Sequence, residues 1–116
     1  MHELAIAEAL IEQAEEIRRA NGARRVRAVR LLVGPLSGVV PALLESAFPL
    51  AAAGTALEGA TLDCIATPIR VRCQTCAAQT EAHLNALVCG ACGDWRTQII
   101  SGDALILERL ELEIDD

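Results

Sequence analysis

The sequence predicts an α+β fold in which two helices cover a small mixed sheet and a four-cysteine module is inserted ahead of the last strand. Three observations carry this prediction. Apolar residues recur at helical spacing from Leu4 to about Asn21. β-branched runs flank a second helical segment, and the chain closes on a stretch of period-2 alternation. Between them lie two close cysteine pairs, Cys73-Gln74-Thr75-Cys76 and Cys89-Gly90-Ala91-Cys92.

In the first element, Leu4, Ala7, Leu10, Ile11, Ala14 and Ile17 line one side, while Glu8, Glu12, Glu15, Glu16, Arg18 and Arg19 fill much of the rest. Gly22 closes the helix, and early glutamates with late arginines complement its dipole. Arg25 to Val33 is rich in Val and Leu with interspersed arginines, a strand that ends at Gly34-Pro35. After Leu36-Ser37-Gly38, Pro41 suits a first helical turn, and Ala42 to Ala53 reads as a largely buried helix stopped by Gly54. Pro49 lies inside it and is expected to kink or split it.

Ala60 to Ala66 reads as another strand, and Ile69 to Arg72 leads extended into the first cysteine pair. From Ile106 to Ile114, Leu110, Leu112 and Ile114 alternate with Arg109, Glu111 and Glu113, the pattern of a half-exposed strand. This strand is expected to join those near 26–33 and 60–66. The resulting architecture places residues 1–67 plus 103–116 in one discontinuous domain and residues 68–102 in an inserted zinc-ribbon-like module.

With 116 residues the chain has room for one modest core and one small appendage, and none for a large catalytic cleft. Trp95 and Phe48 are the only aromatics, so the core must be aliphatic. The net charge of −6 opposes binding to a phosphate backbone, and no nucleic-acid partner is expected. Met1-His2-Glu3-Leu4 has neither a basic n-region nor an apolar h-region, and no run is long enough to span a bilayer. A cytoplasmic protein without a membrane partner is therefore expected.

Five cysteines, four of them in two close pairs, suit thiolate metal binding in a reducing compartment better than disulfides. Two CxxC turns separated by a twelve-residue spacer offer Cys73, Cys76, Cys89 and Cys92 to one tetrahedral ion, for which structural Zn²⁺ is the expected occupant. Four sulfurs leave no open position for water, which argues against metal-dependent hydrolysis. Gly90 and Gly93 can give the second turn positive φ, whereas the first turn has no glycine. Cys64 reads as a small hydrophobe in a strand, and His83 as an exposed loop residue.

His2 stands beside the α-amine. The amine of Met1, the deprotonated amide and a ring nitrogen of His2, and the Glu3 amide can share one metal in a square-planar nitrogen set that suits Ni(II) or Cu(II). A second residue that happens to be histidine is no proof of a site, and the chemistry leaves the choice open. Two rival readings are a zinc-ribbon module that binds protein or nucleic acid, and a dithiol oxidoreductase. Net acidity and the absence of tyrosine oppose nucleic-acid binding, and neither cysteine pair sits in a thioredoxin-like pattern.

Taken together, Met1-His2-Glu3-Leu4, the following helix, the Val33-Gly34-Pro35-Leu36-Ser37-Gly38 turn, both CxxC knuckles and the strand from Gly102-Asp103 to Glu113-Ile114 resemble the HypA/HybF family of hydrogenase nickel-incorporation proteins. The resemblance covers nearly the whole chain. It implies a metallochaperone rather than an enzyme, with Ni²⁺ as cargo at Met1, His2 and Glu3 and structural Zn²⁺ at Cys73, Cys76, Cys89 and Cys92. It also implies work with a HypB-like GTPase and delivery to the large-subunit precursor of [NiFe]-hydrogenase, with urease maturation served by some members. The inserted topology permits strand exchange between copies, so a homodimer is an admissible assembly.

Overall fold

The computed structural model describes residues 2–114 and divides into two compact units, one formed by Met1–Leu31, Val40–Ile65 and Ile106–Asp116, the other by Leu32–Val39 and Ala66–Leu105. The elements in order are α1 (His2–Ala20), β1 (Arg25–Val33), α2 (Pro41–Ala52), β2 (Thr61–Ala66), β3 (Ile69–Cys73), β4 (Gln79–Ala82), β5 (Thr97–Ser101) and β6 (Leu105–Glu113).

In the first unit, α1 buries Ala7, Leu10, Ile11 and Ala14, the i, i+3, i+4, i+7 stripe of its sequence. Its C-terminus is closed by a Schellman turn. Gly22 takes φ +63° while its N–H donates to Arg19 O, and the Ala23 N–H donates to Arg18 O. The helix packs against α2, which contributes Leu44, Phe48 and Ala52, one buried residue per turn.

Of the two outcomes expected at Pro49, a kink or a split, the split does not occur: α2 runs unbroken through it. It falls in the last turn, where one N–H bond is lost. The Ala53 N–H still closes on Pro49 O at 3.2 Å, and burial of Phe48 and Ala52 on either side holds the turn.

β1 is the centre of a three-stranded sheet, ordered β2-β1-β6. The Val26 N–H donates to Ala56 O just ahead of β2, and the Thr67 N–H donates to Val33 O just after it, so β1 and β2 run parallel with α2 as their crossover. β6 runs antiparallel to β1, as the bonds from Arg24 N–H to Glu113 O (2.7 Å) and from Gly34 N–H to Ala104 O (3.0 Å) require. The last strand therefore pairs with β1 alone.

Along β6, Leu110 and Leu112 are half-buried and Arg109 and Glu111 exposed, in keeping with the alternation. Ile114 departs from it: it follows the last ladder bond and is 60% exposed. Glu113 is instead drawn in by Arg24, whose guanidinium holds its carboxyl below the ordinary carboxylate range. The arginines of β1 belong to an exposed network, Arg30 with Asp63 (3.4 Å) and Glu108 (3.9 Å) and Arg27 with Glu113 (4.0 Å), each pair contributing little in high dielectric.

Phe48 is the one large aromatic in this core, 2% exposed among Leu-, Val- and Ala-sized neighbours. Phe48→Ala should destabilise the first unit by about 3–5 kcal/mol, because aliphatic walls fixed to helix and sheet collapse only partly into the void. Urea denaturation followed by circular dichroism measures this. A loss below about 1 kcal/mol would mean that the core closes over the cavity.

The second unit is built on an antiparallel sheet ordered β4-β3-β5. β3 buries Ile69, Val71 and Cys73 and exposes Arg70 and Arg72, a strict period of two. Val71 lies opposite Thr80 on one side and Ile99 on the other, with a register shift between Arg70 and Val71 against β5.

Candidate metal centre

β3 delivers Cys73 at its last residue, and the chain then folds back in a tight knuckle. The amides of Thr75 and Cys76 point at Cys73 Sγ, at 3.3 and 3.4 Å. Ala77 N–H donates to Cys73 O, and Cys73 N–H to Ala78 O, which closes the turn. The second knuckle repeats this residue for residue. Ala91 and Cys92 amides reach Cys89 Sγ at 3.3 and 3.4 Å, Gly93 N–H donates to Cys89 O, and Cys89 N–H donates to Asp94 O.

The repeat requires a left-handed residue at the fifth position of each knuckle. Gly93 supplies it at φ +78°, as its sequence position suggests, but Gly90 is not in that region. Gly90 is small for another reason: a Cβ there would stand 3.2 Å from Thr80 Cβ, and its N–H donates to Thr80 Oγ1 at 2.8 Å. In the first knuckle the left-handed position is taken by Ala77 at φ +63°, a conformation that costs an L-residue roughly 1–2 kcal/mol. Such a residue persists where its surroundings over-determine it.

The two knuckles bring four sulfurs together. Cys73 Sγ lies 3.6 Å from Cys92 Sγ, Cys76 Sγ lies 3.6 Å from Cys89 Sγ, and all four are within 4.8 Å of one another. Bonds of about 2.3 Å to a central ion imply tetrahedral edges of about 3.8 Å, so the donor set fits one tetrahedral thiophilic cation such as zinc. Cys73 and Cys89 are buried, and Cys76 and Cys92 are exposed.

The electrostatics follow the hydrogen bonds. The amides of Cys76 and Thr75 lower the Cys73 thiol, and those of Cys92 and Ala91 bring Cys89 down to about 6. At Cys92 the Asp94 amide pulls downward but is outweighed by the Cys73 sulfur, burial and the other two thiols, which push it up to about 12. Cys76 is raised in the same way, against the Ala78 amide, by Cys89, burial and Cys73. Four acids so close cannot all ionise without a cation among them.

Asp94 binds the second knuckle to the first. Its carboxylate accepts from the Arg96 guanidinium (3.2 and 3.1 Å), from the Thr75 hydroxyl and from the Arg96 amide (3.0 Å), and these partners hold it well below the usual carboxylate range. No motif in the sequence marks this residue. Arg96 also lies 5.9 Å from the centre of the Trp95 ring.

His83 is exposed and forms a bridge with Ala86, outside the sulfur cluster. Cys64, in β2, is half-buried in the first unit, its thiol pushed up to about 11 by burial, by the charge and hydrogen bond of Glu45, and by Asp63. Of the N-terminal residues singled out above, α1 begins at His2 and Glu3 is half-buried; Met1 and the His2 side chain lie outside what the structure describes.

A three-stranded mixed sheet under two helices, joined to a three-stranded unit with a tetrathiolate centre, defines a small metal-binding protein of two units. Among the described residues no helix is long and apolar enough to cross a membrane. Comparison with known proteins gives the particular family. Residues 1–112 match the family model described as "Hydrogenase/urease nickel incorporation, metallochaperone, hypA".

The chain is 44% identical over 112 residues to the hydrogenase maturation factor HypA of Nitrosospira multiformis, covering 97% of each. To the HypA of Aquifex aeolicus it is 39% identical over 115 residues, covering 99% of this chain and 100% of the other. A solution structure of a HypA protein superposes with a TM-score of 0.76 at 26% identity, over 99% of this chain and 98% of that one. The Helicobacter pylori nickel metallochaperone HypA shares the fold, with a TM-score of 0.74 at 24% identity and coverage of 97% and 98%. The chain belongs to the HypA family, the nickel metallochaperones of hydrogenase maturation.

Proposed function

We propose that this protein captures Ni(II) at its N-terminus, through the Met1 amine, the amide and imidazole nitrogens of His2 and the Glu3 amide, and delivers it to the large-subunit precursor of [NiFe]-hydrogenase with a HypB-like GTPase. Urease maturation is a second client for the same cargo. The nickel-binding domain is the one expected at residues 1–67 with 103–116 and the zinc module the one expected at 68–102, with Leu32–Val39 grouping with the latter unit, and the protein works in the cytoplasm. Membership of a nickel-metallochaperone family over almost the full length carries this reading.

The start of α1 at His2 supports it: the first N–H groups of a helix have no acceptor within it, so amides there can lose protons to a metal without breaking the helix. Cys73, Cys76, Cys89 and Cys92 would hold the resident zinc, which supplies cross-linking charge to a unit with little apolar core. Transfer follows from ligand exchange. The amine and imidazole of the chain release the cargo as a partner presents competing donors, and protons return to the nitrogens left behind.

Ni(II) titration of the zinc-loaded protein and of His2→Ala, both with unblocked N-termini, tests the assignment. The variant should lose one nickel equivalent and keep its zinc by metal analysis. Binding should strengthen as pH rises, since amine and amide protons must leave, and acetylation of the amine should abolish it. Undiminished nickel binding in His2→Ala would refute the N-terminal site.

A further inference from the structure

A protein that carries nickel beside four thiolates must keep the cargo out of its own sulfur site, because thiolates also coordinate Ni(II), though they favour Zn(II). The two ions differ in preferred shape as well. Zinc takes a tetrahedron, whereas nickel with strong donors takes a square plane, in which the two sulfur pairs must become coplanar. Here each sulfur pair belongs to one knuckle, so flattening requires one knuckle to rotate against the other.

Three links in the second unit bear on that rotation. The Gln74 N–H donates to Arg96 O at 2.9 Å beside the β3–β5 pair Cys73–Thr97, and the Gly90 N–H donates to Thr80 Oγ1 at 2.8 Å, so each ties one knuckle to a strand. The third is the hydrogen bond from the Thr75 hydroxyl to Asp94 Oδ2, which joins the two knuckles directly. Asp94 is itself immobilised: its side chain is only 12% exposed, Oδ1 accepts from the Arg96 amide and Nε, and Oδ2 accepts from Arg96 Nη2. Fixed at both ends, this direct link opposes the remaining freedom of one turn to rotate against the other. We infer that the Thr75–Asp94 bond is a latch that sets metal specificity at the cysteine centre, holding the knuckles in the crossed arrangement and so denying Ni(II) the planar geometry it prefers.

Asp94 and Thr75 act as positioning residues, touching no sulfur through their side chains. The inference rests on the reading of Cys73, Cys76, Cys89 and Cys92 as a zinc site. Loss of partners that orient a metal's ligands characteristically changes metal affinity by about 10- to 100-fold. Exchange of zinc for nickel should accelerate by a factor in that range in T75V, which removes the cross-link and leaves the Asp94–Arg96 clasp in place. D94A should behave likewise. T75S keeps the hydroxyl and should restore the wild-type rate.

The experiment incubates full-length zinc-loaded protein with excess Ni(II), removes free metal by gel filtration, and measures retained zinc together with the thiolate-to-nickel charge-transfer absorption. Reading zinc separates exchange at the cysteines from nickel taken up elsewhere. Faster zinc loss with growth of that absorption in T75V, and neither in T75S, supports the latch. T75V recovered without zinc while T75S is fully loaded is the same result in stronger form. T75V that exchanges at the wild-type rate, with zinc stoichiometry intact, overturns the latch alone. Wild-type protein isolated without zinc overturns the zinc assignment and the latch with it.

Discussion

Stripping the metal from the four-cysteine centre should unfold residues 66–105 and leave the first unit folded. The second unit buries few aliphatic side chains: Val33, Ile69 and Val71, with Cys73 and Cys89, make up its buried apolar set. Leu84, Val88, Trp95, Ile99 and Ile100 are all exposed, Trp95 by 75%. At about 1.5–3 kcal/mol for each fully buried large side chain, such a core is far below the conformational entropy of ordering some 40 residues. Zinc bound to cysteine-rich peptides contributes about 10–16 kcal/mol at neutral pH, enough to supply the missing stabilisation if zinc occupies the four cysteines.

The first unit has its own core in Ala7, Leu10, Ile11, Ala14, Val26, Val29, Leu31, Leu44, Phe48 and Leu57 and draws nothing from the metal. Amide hydrogen exchange after chelation should therefore show protection lost from β3, β4 and β5 and kept in α1, β1 and α2. Cys89→Ser should mimic chelation, and Cys64→Ser should not. Retained protection in β3 to β5 after complete metal removal would show that the unit folds on its own contacts.

The second large effect belongs to Gly34. A Cβ there would lie 2.2 Å from the carbonyl oxygen of Gly102 and 2.3 Å from its carbon, both backbone atoms that no rotamer change can move aside. The same crossing carries the Gly34 N–H bond to Ala104 O and the Leu36 N–H bond to Gly102 O at 2.8 Å, so separating the chains breaks hydrogen bonds as well. Gly34→Ala should cost about 3 kcal/mol or more in chemical denaturation.

Gly38 is the control. It has φ +79° and open space around its missing side chain, so Gly38→Ala should cost only about 1–2 kcal/mol, from the left-handed backbone alone. Equal costs for the two substitutions would mean that the crossing is free to open. Gly102 combines both constraints, with φ +101° and a Cβ position 2.8 Å from Ile69 Cα.

Much of this molecule could be read locally. The α1 stripe, the Gly22 stop, the span of β1, Pro41 at the first turn of α2 and the extended entry to Cys73 all lie within a residue or two of where patterning puts them. Period and turn chemistry act over a few residues, and here the tertiary environment agrees with them. β4 and β5 left no such trace. Gln-Thr-Glu-Ala has no apolar alternation, and β5 is exposed at Gln98, Ile99 and Ile100 alike, so both strands owe their existence to pairing with β3.

The knuckles divide the same way. Their spacing named all four cysteines, and Gly93 marked the left-handed position of the second turn. Ala77, which fills the equivalent position in the first, carries no outward sign of it. Asp94 reads as an ordinary surface acid until its hydrogen bonds to Thr75 and Arg96 are seen.

By itself the sequence determined the helices, the main strands and the inventory of clustered sulfurs, because helical period, turn glycines and CxxC spacing are short-range properties. The tertiary structure alone decided which strands pair, that Gly34 crosses Gly102 and that Asp94 latches onto Thr75. Those contacts join residues far apart along the chain, and their stability comes from the closed backbone ladders and the assembled knuckles rather than from any neighbour in sequence.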